Sequence, residues 1–363
     1  MEFGPEHNGR TVLRGRTIKD EPVKLKGCDD VKIIECNFSY DETRKAMVTL
    51  DNCTRCKILK TEFHDKTTTG NFIKIIGEGS EENVIEDCVF RDHTYDQGNG
   101  GEALRIGESP YSGCIFKTKV RFCRFQKLRA DDETVSIKSC GNLLEHNEHI
   151  NCDSNFTIRH GGDNIIRDNK FTGSGGIRVY GKGNKIIHNY HKKNNSNNNQ
   201  INRRPLIISN GNFEEDRNFD SQGRPSKRKG CSHAVYAHVK ENIIEDNIYD
   251  NCRGTCVWGY KTYKCEPTER EPDKCKKKCN GSRYTIGGPK KPKKNEFRKN
   301  IIIGDEINRD TTLLLFNADA EKLDNVFKDN KLHKAKRGHI PEEQGDTLDR
   351  RPPFTIPDAG PRP

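Results

Sequence analysis

The sequence predicts an all-β chain wound as a single-domain right-handed parallel β-helix, and three observations predict it. A degenerate unit, roughly Asn-x-Ile-x-x-Asn-x-Phe, recurs along the 363 residues. Where uninterrupted, it returns every ~20 to 27 residues, a period that suits a coil of short strands. Composition agrees: 33% of residues are charged and 31% hydrophobic. That is too polar for a thick globular core, but it serves a thin one to which each short strand adds a single inward row.

The unit appears at Val31–Phe38, Asn83–Phe90, Lys119–Phe125, Asn142–His149, Asn164–Phe171, Asn184–His191, Asn242–Tyr249, Asn295–Ile302 and Asp324–Leu332. The strands are short and β-branched, and the Leu-x-x-Leu-x-Leu signature of leucine-rich horseshoes is absent. Stacking the units aligns Asn147, Asn169 and Asn189 at a turn, where their amides can bond from rung to rung. Asn also tolerates the left-handed backbone such turns need. Stacking aligns the aromatic residues inside.

Two stretches break the period: one carries Asn194 to Gln200 and the basic run Arg224 to Lys229, the other most of a Cys cluster and Pro289 to Lys294. The domain is therefore expected to span 1–363, with insertions at about 192–232 and 257–294 and an extended C-terminal tail over 345–363 packing along the coil.

A net charge of +10 favours a polyanionic partner. Aromatic residues are 7% of the chain and form no evident stacking platform, so an acidic polysaccharide is expected rather than nucleic acid. No apolar run reaches membrane-spanning length, so no membrane partner is expected, and a monomer is. Of 15 cysteines, Cys36, Cys88 and Cys123 fall at equivalent repeat positions and read as small apolar core residues. Cys252, Cys256, Cys265, Cys275 and Cys279 crowd one segment without the paired C-x2-C units of common zinc modules, which favours disulfides over metal. Sequons begin at Asn37, Asn52, Asn155, Asn194 and Asn280, and with the cysteines they point to a secreted protein, although Met1 to Arg10 lacks the apolar core of a signal peptide.

The chemistry gathers on neighbouring rungs. Glu102-Ala-Leu-Arg-Ile-Gly107, Glu133-Thr-Val-Ser-Ile-Lys-Ser139, Phe156-Thr-Ile-Arg-His-Gly161 and Gly175-Gly-Ile-Arg-Val-Tyr-Gly181 align with Ile106, Ile137, Ile158 and Ile177 in register. Parallel strands lie about 4.8 Å apart, so Lys138, Arg159 and Arg178 are expected to project as a cationic ladder. The bland alternative is a solvated strip of positive charge. The same register stacks Glu102 over Glu133, with Asp131 at the same parity as Glu133 and Asn99 just upstream. Carboxylates so close repel unless protonated or bridged, and oxygen donors of this type suit Ca²⁺.

These blocks, with Asn99-Gly-Gly-Glu102 ahead of the first, agree in order, spacing and type with the signature blocks of polysaccharide lyase family 6, and the chain resembles that family from about Thr61 to Asn251. The family comprises alginate lyases and the dermatan-sulfate-cleaving chondroitinase B. The resemblance implies a β-elimination with Lys138 as general base and Arg159 as general acid. It implies calcium on Asn99, Asp131 and Glu133, and a substrate cleft lined by Glu102, His160 and Arg178, with Glu102 near enough to the metal to count as a possible ligand. Arg105 and Tyr180, on the same strands, are expected to bind substrate beside them. Asp131 stands where the family has Glu, and the Cys-rich segment after Trp258 matches nothing in the pattern. Alginate is the expected polymer, with dermatan or chondroitin sulfate the alternative.

Chemically, the C5 proton of a uronate is barely acidic, and neutralising the adjacent carboxylate lets charge develop there. Lys138 has to be depressed from its ordinary range to act as a base, which cations nearby would do. An Arg is an awkward proton donor, so His160 and Tyr180 stand as substitutes. The rivals are a glycoside hydrolase on the same coil, using two of the three carboxylates without a metal, and a noncatalytic glycan-binding solenoid.

Overall fold

The structure, a computed structural model, describes residues 1–95, 100–193, 204–208, 211, 236–252, 292–304, 324–333 and 358–362, together with strands at 256–258, 263–265, 284–286, 314–315 and 345–348. Strands of two to six residues are gathered into three parallel sheets of 11, 11 and 12 strands among the described residues. Each strand pairs with its counterpart one turn of chain away, so the three sheets are the faces of a parallel β-helix. The fold class read from the repeat is the one the molecule has. Among the described residues, no helix is long and apolar enough to cross a membrane.

The core is built of ladders because the repeat puts the same kind of side chain at the same place in each turn. One sheet lines up Ile33, Ile58, Ile85, Val120, Leu144, Ile166, Ile186, Ile244, Phe297 and Phe327, all buried. Another stacks Phe38, Phe63, Phe90 and Phe125 with centroids 4.8–5.2 Å apart. His149, Phe171, His191 and Tyr249 continue that row in register. The third sheet carries the candidate site on its outer face.

Two asparagine ladders run along the coil, as the repeat suggests. Asn147 donates to Asn169 at 2.9 Å, Asn169 to Asn189 at 3.0 Å and Asn189 to Asn247 at 3.0 Å. A second series links Asn142, Asn164, Asn184 and Asn242 through contacts of 2.8–3.0 Å. The left-handed backbone, however, falls one residue earlier than expected, at His146, Asp168 and His188, with φ of 54–55°. Each Asn is thus free of that strain and uses its amide to satisfy buried backbone groups inside the turn. In the early turns, Cys36, Cys88 and Cys123 take the equivalent positions as buried free thiols.

The insertion boundaries need correction. Leu206–Ile208 is a strand of the site-bearing sheet, lying inside the stretch expected to be one insertion at 192–232. Cys256–Trp258 is the next strand of that sheet, so the coil continues past 257 before an antiparallel pair, Tyr263–Cys265 with Tyr284–Ile286, departs from it. Cys252 belongs to the coil core rather than to the insertion, its buried thiol 3.5 Å from the His191 carbonyl. Gly345–Leu348 forms a strand against Asn330–His333, which shortens the tail at its start. Further on, the tail does pack along the coil: Gly360 donates to the His146 carbonyl, and Arg362 pairs with Asp87 and lies over the Phe122 ring at 4.2 Å.

Candidate active site

Five adjacent strands of one sheet form the floor of the site, numbered here β1 (Leu104–Ile106), β2 (Glu133–Lys138), β3 (Asn155–His160), β4 (Ile177–Val179) and β5 (Leu206–Ile208). Their inward residues hold them in place: Ile106, Ile137, Ile158 and Val179 stack as one fully buried row. The register of β4 therefore differs from the expected one. Ile177 pairs with Phe156, so Arg178 sits beside Thr157, two residues from the anticipated place beside Arg159. Both Ile177 and Val179 are buried, so a slip by two preserves the hydrophobic pattern and leaves no mark in the sequence. Just before β4 the next rung packs close, since a Cβ on Gly176 would meet the Pro205 carbonyl at 1.9 Å.

The simple cationic ladder is also broken by bulges. Between β2 and β3 the register shifts after Glu133 and again after Ile137, so Lys138 faces His160 and Arg159 is the extra residue. A bulge re-aims a side chain, and here it leaves Arg159 beside the same carboxylate that Arg178 reaches from the next rung. Arg178 donates to Glu133 Oε1 at 2.8 Å, and Arg159 lies 3.6 Å from the same oxygen. Arg105 donates to both oxygens of Glu102 at 2.8 and 3.0 Å, and Lys138 Nζ lies 3.6 Å from Glu102 Oε1. Four cations thus interleave with two carboxylates, which rules out the bland reading of a solvated strip: Lys138 and Arg178 are 7% exposed, Glu133 3% and Glu102 1%.

Burial and charge act against each other here. Burial pushes Glu102 up, but Arg105 and Lys138 outweigh it and hold the carboxyl at about 2. Glu133 is likewise pushed up by burial and pulled below its ordinary value by Arg159, Arg178 and Lys138. Lys138 is lowered, first by burial and then by Arg105, with Arg159 adding to the effect and Glu102 and Glu133 opposing it. Lysine buried among cations loses its proton more readily than one in water.

Asp131 behaves differently. It lies in the turn before β2, so strand parity does not orient it. Its carboxylate accepts from the Gly100, Gly101 and Glu133 amides at 2.6, 3.3 and 3.1 Å. Burial, then Glu102 and Glu133, push it up to about 7. Asn99 lies outside the described residues. Among those described, no three acidic, His or Cys side chains converge closely enough to grip a metal ion. The donor set nevertheless fits a hard divalent cation: Asp131 and Glu133 offer oxygen only, and their mutual repulsion is what such an ion relieves. The oxygens of Glu102 are already bonded by Arg105 and Asn71, and those of Glu133 by Arg178 and Ser136, so either carboxylate would exchange one of these partners for the ion.

Of the remaining expected residues, Arg105 is partly exposed at the site, and His160 is buried with Nε2 3.1 Å from Ser109 Oγ. Gly161 follows it at φ 83°, where a Cβ would strike the Ser139 carbonyl. Tyr180 is 5% exposed, packs against the core cluster, stacks beneath Tyr236 and lies close enough to Arg178 to act on its charge. Three contributors were not read from the sequence. Asn71 sits one turn below Glu102, a position the repeat could have revealed, whereas Ser109 comes from a 3-10 turn and Tyr236 from the far side of a long insertion.

The parallel β-helix bears buried, interleaved cations and carboxylates on one sheet, and the match of its sequence to a known family gives the class: the protein is a polysaccharide lyase. Residues 17–218, more than half of the chain, match the sequence model of a family described as chondroitinase B. The chain belongs to that family, polysaccharide lyase family 6. Its fold is similar to that of an alginate lyase of this family solved with a trisaccharide, at 16% identity and a TM-score of 0.69, covering 99% of this chain and 84% of that one. Alginate lyase AlyF-OU02 in complex with G6 gives 16% identity and 0.66, covering 98% and 79%. A mannuronic-acid-specific family 6 lyase from human gut microbiota gives 17% identity and 0.65, covering 97% and 91%. No curated protein sequence matches the chain.

Proposed function

We propose that this lyase depolymerises alginate, or otherwise dermatan or chondroitin sulfate, by β-elimination with Lys138 as the base. The observation that carries the reading is Lys138 itself: a lysine 7% exposed at the end of β2, beside Glu102 and facing His160, with its ammonium disfavoured by burial and Arg105. Similar folds among alginate lyases support the first polymer, and the family's description supports the second.

In this scheme, neutral Lys138 removes the C5 proton of a uronate. Arg105 and Arg178, each tied to a carboxylate, offer their remaining N–H groups to substrate anions. Arg159 keeps its charge at all working pH values, so it meets the negative charge growing on the departing glycosidic oxygen rather than surrendering a proton. Asp131 and Glu133, with Asn99, would hold Ca²⁺, which supplies Lewis-acid neutralisation of the uronate carboxylate. The test is incubation with a panel of alginate, dermatan sulfate and chondroitin sulfate, following ultraviolet absorbance of the unsaturated uronate. Reducing ends that form without that absorbance would favour the hydrolase.

A further inference from the structure

Tyr236 enters the site from beyond the residues matched by the family's sequence model, at the point where the chain rejoins the coil. Its ring lies 5.1 Å from the Arg159 guanidinium carbon and stacks on Tyr180 with centroids 4.4 Å apart and planes at 22°. Tyr180 is anchored in the core. A column therefore rises from the interior to the surface of the site: Tyr180 ring, Tyr236 ring, Arg159 guanidinium.

Little else fixes Arg159 among the described residues. Its ion pair with Glu133 Oε1, at 3.6 Å, is too long for a hydrogen bond, and Arg178 already bonds that oxygen at 2.8 Å. Arg159 Nε is buried without a hydrogen-bond partner. The bulge at β3 aims the side chain only roughly, because an arginine has several rotatable bonds beyond its Cβ. A flat aromatic face sets the guanidinium plane without consuming its N–H groups.

We propose that Tyr236 is a positioning residue for the elimination: backed by Tyr180, its ring fixes the plane of Arg159 so that the N–H edges stay available to the departing oxygen. This rests on the roles proposed for Lys138 and Arg159. The ring face, not the hydroxyl, does the positioning.

The test compares kcat and KM of Tyr236→Phe, Tyr236→Trp, Tyr236→Leu and Tyr236→Met with wild type, on alginate or whichever polymer of the panel wild type cleaves, with melting temperatures alongside. The aromatic variants should keep kcat within about threefold. The Leu and Met variants should lose about 10- to 100-fold in kcat, the scale expected of a misplaced group, with KM and melting temperature little changed. Two apolar variants guard against one failing to fold. Full kcat in Leu or Met would overturn the proposal, as would a Phe variant as impaired as Leu, or losses that merely follow melting temperature. Lys138→Ala in the same series separates the two readings: if it stays active the base assignment fails, while Tyr236 is still judged by the aromatic-against-aliphatic split.

Discussion

Lys138 Nζ stands 3.6 Å from Glu102 Oε1, inside a pair of residues that are almost wholly enclosed. Glu102 thereby favours the ammonium form of Lys138, opposing burial and Arg105. Since Arg105 also bonds Glu102, removing the carboxylate charge strips Lys138 of its counterion and leaves Arg105 uncompensated beside it. Both changes disfavour the ammonium. Glu102→Gln should therefore shift the acidic limb of the kcat–pH profile to lower pH, by about one unit. An unmoved limb, or one displaced upward, would show that Lys138 does not set it.

If Asp131 and Glu133 hold Ca²⁺ as proposed, turnover should depend on that ion. Chelation with EGTA should abolish turnover, and added Ca²⁺ should restore it in wild type. Glu133→Ala should not be rescued, and calorimetric titration should detect calcium binding to wild type but not to that variant or to Asp131→Asn. Full turnover in EGTA would mean that cations of the chain alone neutralise the substrate carboxylate.

Two histidines in the aromatic ladder give the coil a weakness to acid. His149 and His191 are fully enclosed, and burial pushes both down to about 3. In the unfolded chain each takes up a proton near pH 6.5, whereas the folded chain resists until about 3. The unfolded state thus binds more protons between these values, so stability is lost as pH falls through that window, by about 2 kcal/mol per histidine at about pH 5. His191 stacks between Phe171 and Tyr249, at 4.5 and 5.0 Å. A phenylalanine suits that slot. Melting curves of His191→Phe should show a smaller drop between pH 7 and 5 than wild type, and equal drops would count against this linkage.

With Cys252 in the coil core, four cysteines of the crowded segment remain: Cys256, Cys265, Cys275 and Cys279. We propose that they form two disulfides in an exported protein. The last two and the side chains of the first two lie outside the described residues. Mass spectrometry of a nonreduced digest should find both bridges with Cys252 reduced. Four free thiols, or stoichiometric zinc, would overturn the disulfides and the extracellular assignment together.

Much of the coil was legible because each turn repeats one demand: an inward aliphatic row, an amide at the bend, an aromatic beyond it. The alignment of Ile106, Ile137 and Ile158 could be read directly and proved correct. What escaped were features to which the period is blind. A two-residue slip at Ile177 preserves burial, and a bulge at Arg159 adds a residue without altering the pattern around it. The left-handed position fell to the residues preceding Asn147, Asn169 and Asn189 because the amide is needed for rung-to-rung bonding. Leu206–Ile208 is three apolar residues between polar stretches, too short to announce a strand before its partners are known. Tyr236 reaches Arg159 only through the folding of everything between them.

The central claim is that Lys138 takes the C5 proton, and the most direct measurement is the initial rate of unsaturated uronate formation by Lys138→Ala against wild type at saturating polymer. A positioned base contributes about 10²- to 10⁴-fold, so kcat should fall by that factor. The melting temperature should stay close to that of wild type, because the side chain packs among polar groups at the site rather than in the apolar core. A Lys138→Ala protein that is folded and forms the unsaturated product at the wild-type rate would contradict the account.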